Sequence, residues 1–378
     1  MLFPIEYVET NMVYLNEVLK HFIQKATIMT QYRKASLFPA GFIDVHDDPK
    51  NNFDKKFKAV FEQIKKLNTS QKKQLKRMYI NHQRTKRLCQ DRVSIVDFST
   101  YPEPFKKSLK ALGEYLYSSG LKNARIKQLA IAKYGDNNST LYDHWLAFKE
   151  VNGSVCCFCG IQEYEEQLPD TSSSKWRPAY DHYLPKEKYP FAAVNFGNLI
   201  PCCYQCNSKS KGAFDPCNCK DTGRKKAKYP FSNDIVVGLK FRFVPENVAA
   251  KMPWVVELND ENDEVHQTWN RVYKIKDRVA SRLNSNYVTW LRNSCPNCIG
   301  PSSIAEKKAI LTEKAVELAS SAKQQREYIH QANLMATLAH TQDDLLGSIL
   351  QTIEPEPQPE STQAGIELLN SMGFSLPS

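Results

Sequence analysis

Two cysteine-bearing segments decide the fold of this chain: residues 155–160 read VCCFCG, and residues 198–212 read NLIPCCYQCNSKSKG. Each segment holds one Cys-x-x-Cys pair, and the four cysteines are Cys156, Cys159, Cys203 and Cys206. Two such pairs supply the thiolates of a tetrahedral structural zinc site, and this spacing disfavours the alternative of buried thiols without a metal. The sequence therefore predicts that one zinc ion joins the two segments and contributes folding free energy to a short unit.

The residues between the two pairs carry groups that suit phosphodiester hydrolysis. Asp181 and His182 are neighbours, so on a β-strand they would point to opposite faces. A histidine titrates near neutrality and can deprotonate a water, whereas a carboxylate is the kind of oxygen ligand that a hard divalent cation prefers. Asn207, directly after the last cysteine, is predicted to begin a helix and to offer its amide oxygen to the same cation. We therefore expect Asp181 and Asn207 to hold a divalent cation and His182 to act as the general base.

Residues 156–211 resemble the HNH, or ββα-metal, endonucleases in their zinc-stapled form. The resemblance is carried by an ordered pattern: DH, then NLIPCC, then CN followed two residues later by a lysine. The resemblance implies an α+β fold in which a treble-clef-like ββα-metal unit is flanked by mainly helical regions. It also implies that Asn198 holds the loop bearing His182 in place, and that the products carry a 3′-hydroxyl and a 5′-phosphate. Where many members of the family end the motif with histidine, this chain has Asn207, a harder ligand that favours Mg2+ or Mn2+.

The segments DHYLPK, KYP and NLIPCCYQCN are further similar to HNH subunits that work beside an ATPase in bacterial anti-phage systems, such as Septu and the retron effectors that borrow its parts. This similarity implies DNA cleavage that is latent until infection, and an ATPase partner that docks on the helical flanks. Two alternatives stay open. One is a ribonuclease that cuts tRNA or another structured RNA with the same site. The other is a non-catalytic, zinc-dependent nucleic-acid-binding module.

Composition sets the broader expectations. The chain has 51 Lys and Arg residues against 41 Asp and Glu residues, a net charge of +10 that is compatible with a polyanionic partner. No apolar run approaches the length that a bilayer requires, and no basic region followed by an apolar core suggests a secretory signal. In an unsecreted chain the eleven cysteines favour metal binding over disulfides, so we expect a reducing cytoplasm.

Basic residues near the motif are the predicted contacts to nucleic-acid phosphates. They are Lys209, Lys211, Arg224, Lys225 and Lys226. Of these, Lys209 and Lys211 are placed to add positive charge where negative charge develops in the reaction. Residues 53–92 are also strongly basic, and their first half is predicted to be an amphipathic helix. Phosphate contact and a plain solvated face are equally favoured for that region.

The chain divides into five predicted parts: a helical, basic region (1–150), the nuclease unit with its zinc (151–230), a β-hairpin plus a helix packed on that unit (231–300), a helical arm (301–353), and an acidic, proline-rich linker with a short tail (354–378). Helical spacing predicts helices at 105–134, as a pair broken at 118–120, and at 141–150, 265–292 and 302–353. Strands are predicted at 235–244 and 254–258.

Three further patterns have plainer interpretations. Cys217, Cys219, Cys295 and Cys298 could form a second zinc site, but Cys-x-Cys is an unusual zinc spacing and ordinary reduced cysteines are the alternative. Residues 44–48, which include His46, are interpreted as a solvated loop rather than a cation site. A second Tyr-Asp-His sequence at 142–144 has no cysteine pair behind it, and we assign it to packing.

Overall fold

A computed structural model describes residues 2–164, 179–233 and 237–353, with the single positions Glu367, Ser371 and Met372. The predicted linker and tail lie almost wholly outside these described residues, as do positions 235–236 of the first predicted strand. Within them the architecture is α+β, rich in helices and with small sheets. The division into five parts stays a prediction.

The N-terminal part is built of helices. They are α1 (Val13–Ala26), α2 (Lys34–Leu37), α3 (Ile43–Asp47), α4 (Phe53–Lys66), α5 (Thr69–His82), α6 (Thr85–Cys89), α7 (Glu103–Ser118), α8 (Ala124–Tyr134) and α9 (Leu141–Asn152). The predicted amphipathic helix is confirmed as α4, because Phe57, Phe61 and Ile64 recur on its buried face. The pair predicted around residues 118–120 is confirmed as α7 and α8.

These helices enclose a helical core, defined as the cluster of buried apolar side chains that α1, α4, α5 and α7 share with the loop between the first two strands. Aromatic rings dominate its centre. Phe22 lies parallel to Phe38 at a centroid distance of 5.6 Å and edge-on to Phe57 at 4.8 Å. Each fully buried phenylalanine contributes about 1.5–3 kcal/mol relative to an exposed one, so this cluster holds the helices together.

Residues 44–48 differ from the predicted solvated loop. Residues 43–47 form α3, and His46 is only 1% exposed. Its ring bonds the hydroxyl of Tyr32 on one side and the carboxylate of Asp47 on the other, at 2.7 Å and 2.6 Å. The imidazole lies among phenylalanine rings, where both of its nitrogens need partners. Sequence reading missed this because the charged residues around His46 hid its burial.

Within the described residues, the strands form three separate antiparallel hairpins. They are β1 (Tyr180–His182) with β2 (Leu199–Pro201), β3 (Asn218–Cys219) with β4 (Gly223–Arg224), and β5 (Leu239–Phe243) with β6 (Trp254–Leu258). The two predicted strands are confirmed as β5 and β6. A seven-residue π-helix, Gln205–Lys211, follows β2. Asn207 therefore lies inside that helix rather than at its beginning.

The C-terminal part is again helical, with α10 (Glu264–Tyr273), α11 (Ile275–Ser294), α12 (Ile304–Ser320), α13 (Tyr328–Ala339) and α14 (Asp343–Gln351). The single helix predicted over 265–292 is wrong. Lys274 adopts a left-handed conformation with φ of 50°, which interrupts the helical hydrogen bonds and separates α10 from α11.

A second buried cluster, the cysteine-side core, joins the cysteine segments to β5, β6 and the C-terminal helices. The junction depends on Gly153, whose φ is +85° and where an added Cβ would lie 2.2 Å from the carbonyl oxygen of Lys323. That carbonyl accepts hydrogen bonds from the backbone N–H groups of Ser154 and Val155. Only glycine permits this approach, which brings the first cysteine pair against the chain between α12 and α13.

Candidate functional site

The four predicted zinc ligands come together. Cys156, Cys159, Cys203 and Cys206 are all buried, and their sulfur atoms lie within 4.8 Å of one another. The Sγ atoms of Cys159 and Cys203 are 3.9 Å apart. A tetrahedral zinc with Zn–S bonds of about 2.3 Å requires S–S separations of about 3.8 Å. The cluster therefore has the size and chemistry to hold a structural zinc ion.

Two groups from distant parts of the chain support this cluster. Nη1 of Arg278 on α11 donates to Sγ of Cys206 at 3.2 Å and to the hydroxyl of Ser210 at 3.4 Å. The ring of His330 on α13 donates from Nε2 to the carbonyl oxygen of Cys159 at 2.8 Å. Four thiolates would carry more negative charge than one bound zinc ion neutralises, so the half-buried guanidinium of Arg278 beside them would be favourable.

The β1–β2 hairpin separates Asp181 from His182, because successive side chains of a strand alternate between its faces. Asp181 pairs with Ile200, and His182 pairs with Leu199. Ile200 belongs to the cysteine-side core, whereas Leu199 belongs to the helical core. The hairpin thus lies between the two cores, with Asp181 directed to one and His182 to the other.

Asp181 is buried and paired with a lysine. It is 2% exposed, and its Oδ1 accepts a hydrogen bond from Nζ of Lys211 at 2.9 Å. The same ammonium donates to the carbonyl oxygen of His182 at 2.8 Å. Burial raises the pKa of the Asp181 carboxyl above its usual value, and Lys211 opposes that effect. The pair ties the π-helix to β1.

The other carboxylate oxygen of Asp181, Oδ2, has no hydrogen-bond partner among the described residues. Asn207 is half-buried on the π-helix that also bears Lys211. Carboxylate and amide oxygens are the donors that Mg2+ and Mn2+ prefer, so the donor types fit such an ion. A bound Mg2+ or Mn2+ would compete with the ammonium of Lys211 for the carboxylate of Asp181, because the two side chains already form an ion pair.

His182 lies on the opposite face and is half-buried. Nε2 donates to the carbonyl oxygen of Ala193 at 3.1 Å, and the ring of Tyr117 on α7 packs edge-on against the imidazole at 4.5 Å. Burial lowers the pKa of His182 to about 4, while the bond to Ala193 opposes the shift. The imidazole is therefore neutral at pH 7, and its Nδ1 carries the lone pair.

Asn198 is fully buried and bonded through both ends of its amide. Oδ1 accepts from the backbone N–H of Leu184 at 2.7 Å, and Nδ2 donates to the carbonyl oxygens of Leu184 and Ala192 at 3.1 Å and 3.2 Å. These three bonds join the start and the end of the loop between β1 and β2. Because Ala192 adjoins the acceptor of the His182 ring, they also fix the surroundings of that histidine.

The predicted phosphate contacts divide into two groups. Lys209 and Lys226 are exposed, and Lys225 is half-buried with its ammonium 3.5 Å from Glu264. Lys211 is 1% exposed and saturated by Asp181 and His182, so the expectation that it contacts phosphate is wrong for this arrangement.

Arg224 also has structural partners. Its guanidinium bonds the carboxylate of Asp91 at 2.7 Å and the carbonyl oxygens of Cys217 and Leu88, which connects the β3–β4 hairpin to α6. From the sequence alone, Arg224 was predicted to contact nucleic-acid phosphates at the surface.

The four other cysteines do not form a second cluster among the described residues. Sγ of Cys217 lies 4.0 Å from Sγ of Cys89, and Sγ of Cys295 lies 3.8 Å from Sδ of Met335. The second zinc site weighed from the sequence is therefore wrong, and the ordinary-cysteine alternative holds. The second Tyr-Asp-His sequence serves packing as expected, since His144 is buried and its Nδ1 bonds the hydroxyl of Tyr180.

Sequence reading missed four contributors: Lys211 as the partner of Asp181, Arg278 and His330 beside the cysteine cluster, and Tyr117 beside His182. The four-residue spacing of Asn207 and Lys211 could have indicated a shared helical face. No local signal could have pointed to Arg278 or Tyr117, because both reach the site from helices far away in the sequence.

Comparison with known proteins gives one similarity. The chain is 39% identical over 70 residues to the Septu protein PtuB of Bacillus thuringiensis; these residues are 18% of this chain and 24% of that protein. The chain thus spans about a quarter of the length of this curated relative. No family model matches the sequence, and no solved structure matches it. Across residues 2–164, 179–233 and 237–353, no helix has the length and apolar character needed to cross a membrane.

Proposed function

We propose that this chain is a metal-dependent HNH-type endonuclease that hydrolyses phosphodiester bonds of DNA. The observation that supports it most is the assembly of the site around one four-cysteine cluster. The second cysteine pair directly precedes Asn207 and follows the hairpin that carries Asp181 and His182. One zinc ion would therefore hold the proposed base and the proposed cation ligands in a fixed relation.

His182 is the proposed general base. Its Nε2 is committed to the carbonyl oxygen of Ala193, so a water would be deprotonated by Nδ1. A pKa of about 4 leaves the imidazole unprotonated at pH 7, but it also makes His182 a weaker base than the near-neutral histidine expected from the sequence. Asn198 closes the loop around it, and the packing of Tyr117 restricts its ring.

Asp181 and Asn207 are the proposed ligands of Mg2+ or Mn2+. Such an ion, when bound, neutralises the scissile phosphate and stabilises the leaving oxygen. The free Oδ2 of Asp181 supports this assignment. Lys209 is exposed on the same π-helix and would attract the phosphate backbone.

We further propose that the chain belongs to an anti-phage system and works beside an ATPase. The support is its similarity over 70 residues to a Septu protein, together with the HNH-like motif. A partner would also account for restraint of a nuclease that is harmful when uncontrolled.

A second candidate is a non-catalytic, zinc-dependent nucleic-acid-binding module. The ion pair between Lys211 and Asp181 favours it, because the ammonium already supplies the positive charge that a divalent cation would bring. In that case His182 would serve packing against Tyr117 rather than proton transfer.

The deciding experiment incubates wild-type protein and the His182→Ala variant with supercoiled plasmid and with total tRNA, with and without added Mg2+. Magnesium is withheld by dialysis as well as by EDTA, and zinc per chain is measured in each sample, because EDTA can also remove zinc. We expect Mg2+-dependent cleavage of the plasmid and a loss of about 10²- to 10⁴-fold in His182→Ala, as for removal of a general base.

His340→Ala is the matched control, because His340 is exposed on the C-terminal side of α13. Equal cleavage by wild type and His182→Ala would exclude the proposed mechanism. Cleavage of tRNA alone would select the ribonuclease. Binding without cleavage, in zinc-loaded protein with the ATPase partner supplied, would select the non-catalytic module.

A further inference from the structure

Two aromatic side chains stand out beside the candidate site. Tyr204 and Phe214 are each 52% exposed, which makes them the most exposed aromatic residues in the part of the chain that the structure describes. They flank the π-helix that carries Asn207. Exposing two large rings costs free energy in water, and exposed rings at both ends of the helix that carries a candidate site residue suggest a binding role.

Both rings are attached to rigid backbone. Tyr204 lies between Cys203 and Cys206 of the four-cysteine cluster, so a bound zinc would hold its backbone on both sides. The backbone N–H of Phe214 donates to the carbonyl oxygen of Lys211 at 2.8 Å, and Lys211 is itself anchored to Asp181. Rings presented in this way lose little conformational entropy when they bind a ligand.

The Tyr204 ring has a cation beside it. Nζ of Lys209 lies 5.7 Å from the centroid of the Tyr204 ring. The nearby carboxylate of Asp215 is buried and occupied by the Tyr189 hydroxyl and the Cys217 backbone N–H, so it does not offset that charge at the surface. Exposed aromatic rings beside lysines are the combination with which proteins bind single-stranded nucleic acid, since bases stack on the rings while phosphates meet the cations.

We infer that Tyr204, Phe214 and Lys209 form a stacking platform for unpaired bases, so that the substrate is a nucleic acid with single-stranded nucleotides at the site. A base inside a duplex has both faces covered by its neighbours, whereas an unpaired base can stack on an aromatic ring. This inference rests on the proposed function and deepens it by naming the substrate class. The adjacent Lys209 and the proximity to Asn207 favour nucleic acid over a protein partner as the occupant.

The test measures binding, so it does not depend on cleavage. Fluorescence anisotropy is recorded without Mg2+ for a single strand and for the duplex of the same sequence. The strand is about 16 nucleotides long, which is near the upper site size for such platforms. We expect Tyr204→Ala and Phe214→Ala each to weaken single-strand binding about tenfold and duplex binding by less than about threefold, because stacking is lost only for unpaired bases. Tyr204→Phe should retain the single-strand affinity.

Tyr134→Ala is the matched control, because Tyr134 is also exposed and also has a lysine over its ring, Lys133 at 4.9 Å, but lies on α8. Zinc content and circular dichroism confirm the fold of each variant. The platform would be overturned if the variants lost the same affinity for both ligands, or lost no affinity for the single strand. Binding of a protein by the two rings would not rescue it. Failure of the nuclease proposal would appear instead as absent cleavage with the single-strand preference intact.

Discussion

Buried polar groups on the two faces of the β1–β2 hairpin are stabilised in different ways. On the cysteine side, Asp181 pairs with the ammonium of Lys211, and the guanidinium of Arg278 donates to Sγ of Cys206. On the helical side, two histidines are neutral at pH 7, because burial lowers the pKa of His182 to about 4 and that of His82 to about 3. Adjacent residues of one strand thus enter opposite electrostatic environments.

This difference predicts that substitutions on the two sides of the hairpin lower the free energy of unfolding for different reasons. A buried charge costs several kcal/mol unless a partner and hydrogen bonds compensate it, so removing one partner on the cysteine side should be severe. On the helical side the costs should come from lost hydrogen bonds and from protonation at low pH. The following predictions proceed from the largest expected effect to the smallest.

Removing a zinc ligand should disrupt the cysteine side most. We expect Cys203→Ser to lose bound zinc and the cooperative unfolding of the cysteine-side core, because zinc contributes on the order of 10 kcal/mol to small Cys-ligated units. Zinc per chain by mass spectrometry and thermal unfolding measure this. Cys295→Ser, a buried cysteine of the same core that contacts Met335, should keep its zinc. Equal zinc content in the two variants would contradict the assignment of the four cysteines as zinc ligands.

Removing Lys211 should leave Asp181 as a buried, unpaired carboxylate. We expect Lys211→Met to lower the free energy of unfolding by about 3–5 kcal/mol. Lys209→Met, two residues away and exposed, should change it by less than about 0.5 kcal/mol. Urea denaturation gives both values.

Adding Asp181→Asn to Lys211→Met should recover part of the loss, because it removes the unpaired charge. If the two single lysine variants were equally stable, the pairing of Lys211 with Asp181 would not hold in solution.

Replacing Asn198 should loosen the loop between the strands. Asn198→Ala removes three hydrogen bonds and leaves the polar groups of Leu184 and Ala192 buried, so we expect a loss of about 3 kcal/mol at about 1 kcal/mol for each bond. Asn195→Ala is the comparison, since Asn195 Oδ1 accepts from Gly197 two residues on within the same loop. A loss no greater than that of Asn195→Ala would show that Asn198 does not hold the loop.

Acid should weaken the helical side through His82. Burial lowers its pKa to about 3 in the folded protein, where neither ring nitrogen has a hydrogen-bond partner among the described residues, against an ordinary value of about 6.5. The unfolded chain therefore binds more protons below pH 6.5, and the stability gained from the neutral ring falls as the pH drops toward 3. We expect His82 to lower the free energy of unfolding by about 1 kcal/mol between pH 7 and pH 5.5.

Urea denaturation at the two pH values measures this loss in wild type and in His82→Phe, where the contribution of His82 should vanish. The same loss in both proteins would assign the acid sensitivity to other groups.

Much of the molecule could be predicted from local sequence patterns. The Cys-x-x-Cys spacing named the four residues that do come together, and the periodic apolar residues of α4, β5 and β6 predicted elements that are present. The alternation of a strand was enough to separate Asp181 from His182. These features arise from the spacing of residues within one short segment, so they can be predicted from that segment alone.

The residues that set the environment of the site could not be predicted in this way. Lys211 was expected at the surface, residues 44–48 were expected in solvent, and Cys217 was weighed as a zinc ligand. Each expectation failed because burial is decided by which distant elements pack together. A charged or polar residue has the same local pattern whether its partner is water or a buried group.

The sequence alone therefore determined the four cysteines that come together, the opposite orientation of Asp181 and His182 on a strand, and most of the helices, since spacing and periodicity encode them directly. Only the tertiary structure decided that Asp181 is neutralised by Lys211, that His182 lies against Tyr117, and that Arg278 reaches the thiolate of Cys206. The physical reason is that charge compensation and desolvation depend on distances between groups that the chain brings together only when both cores are packed.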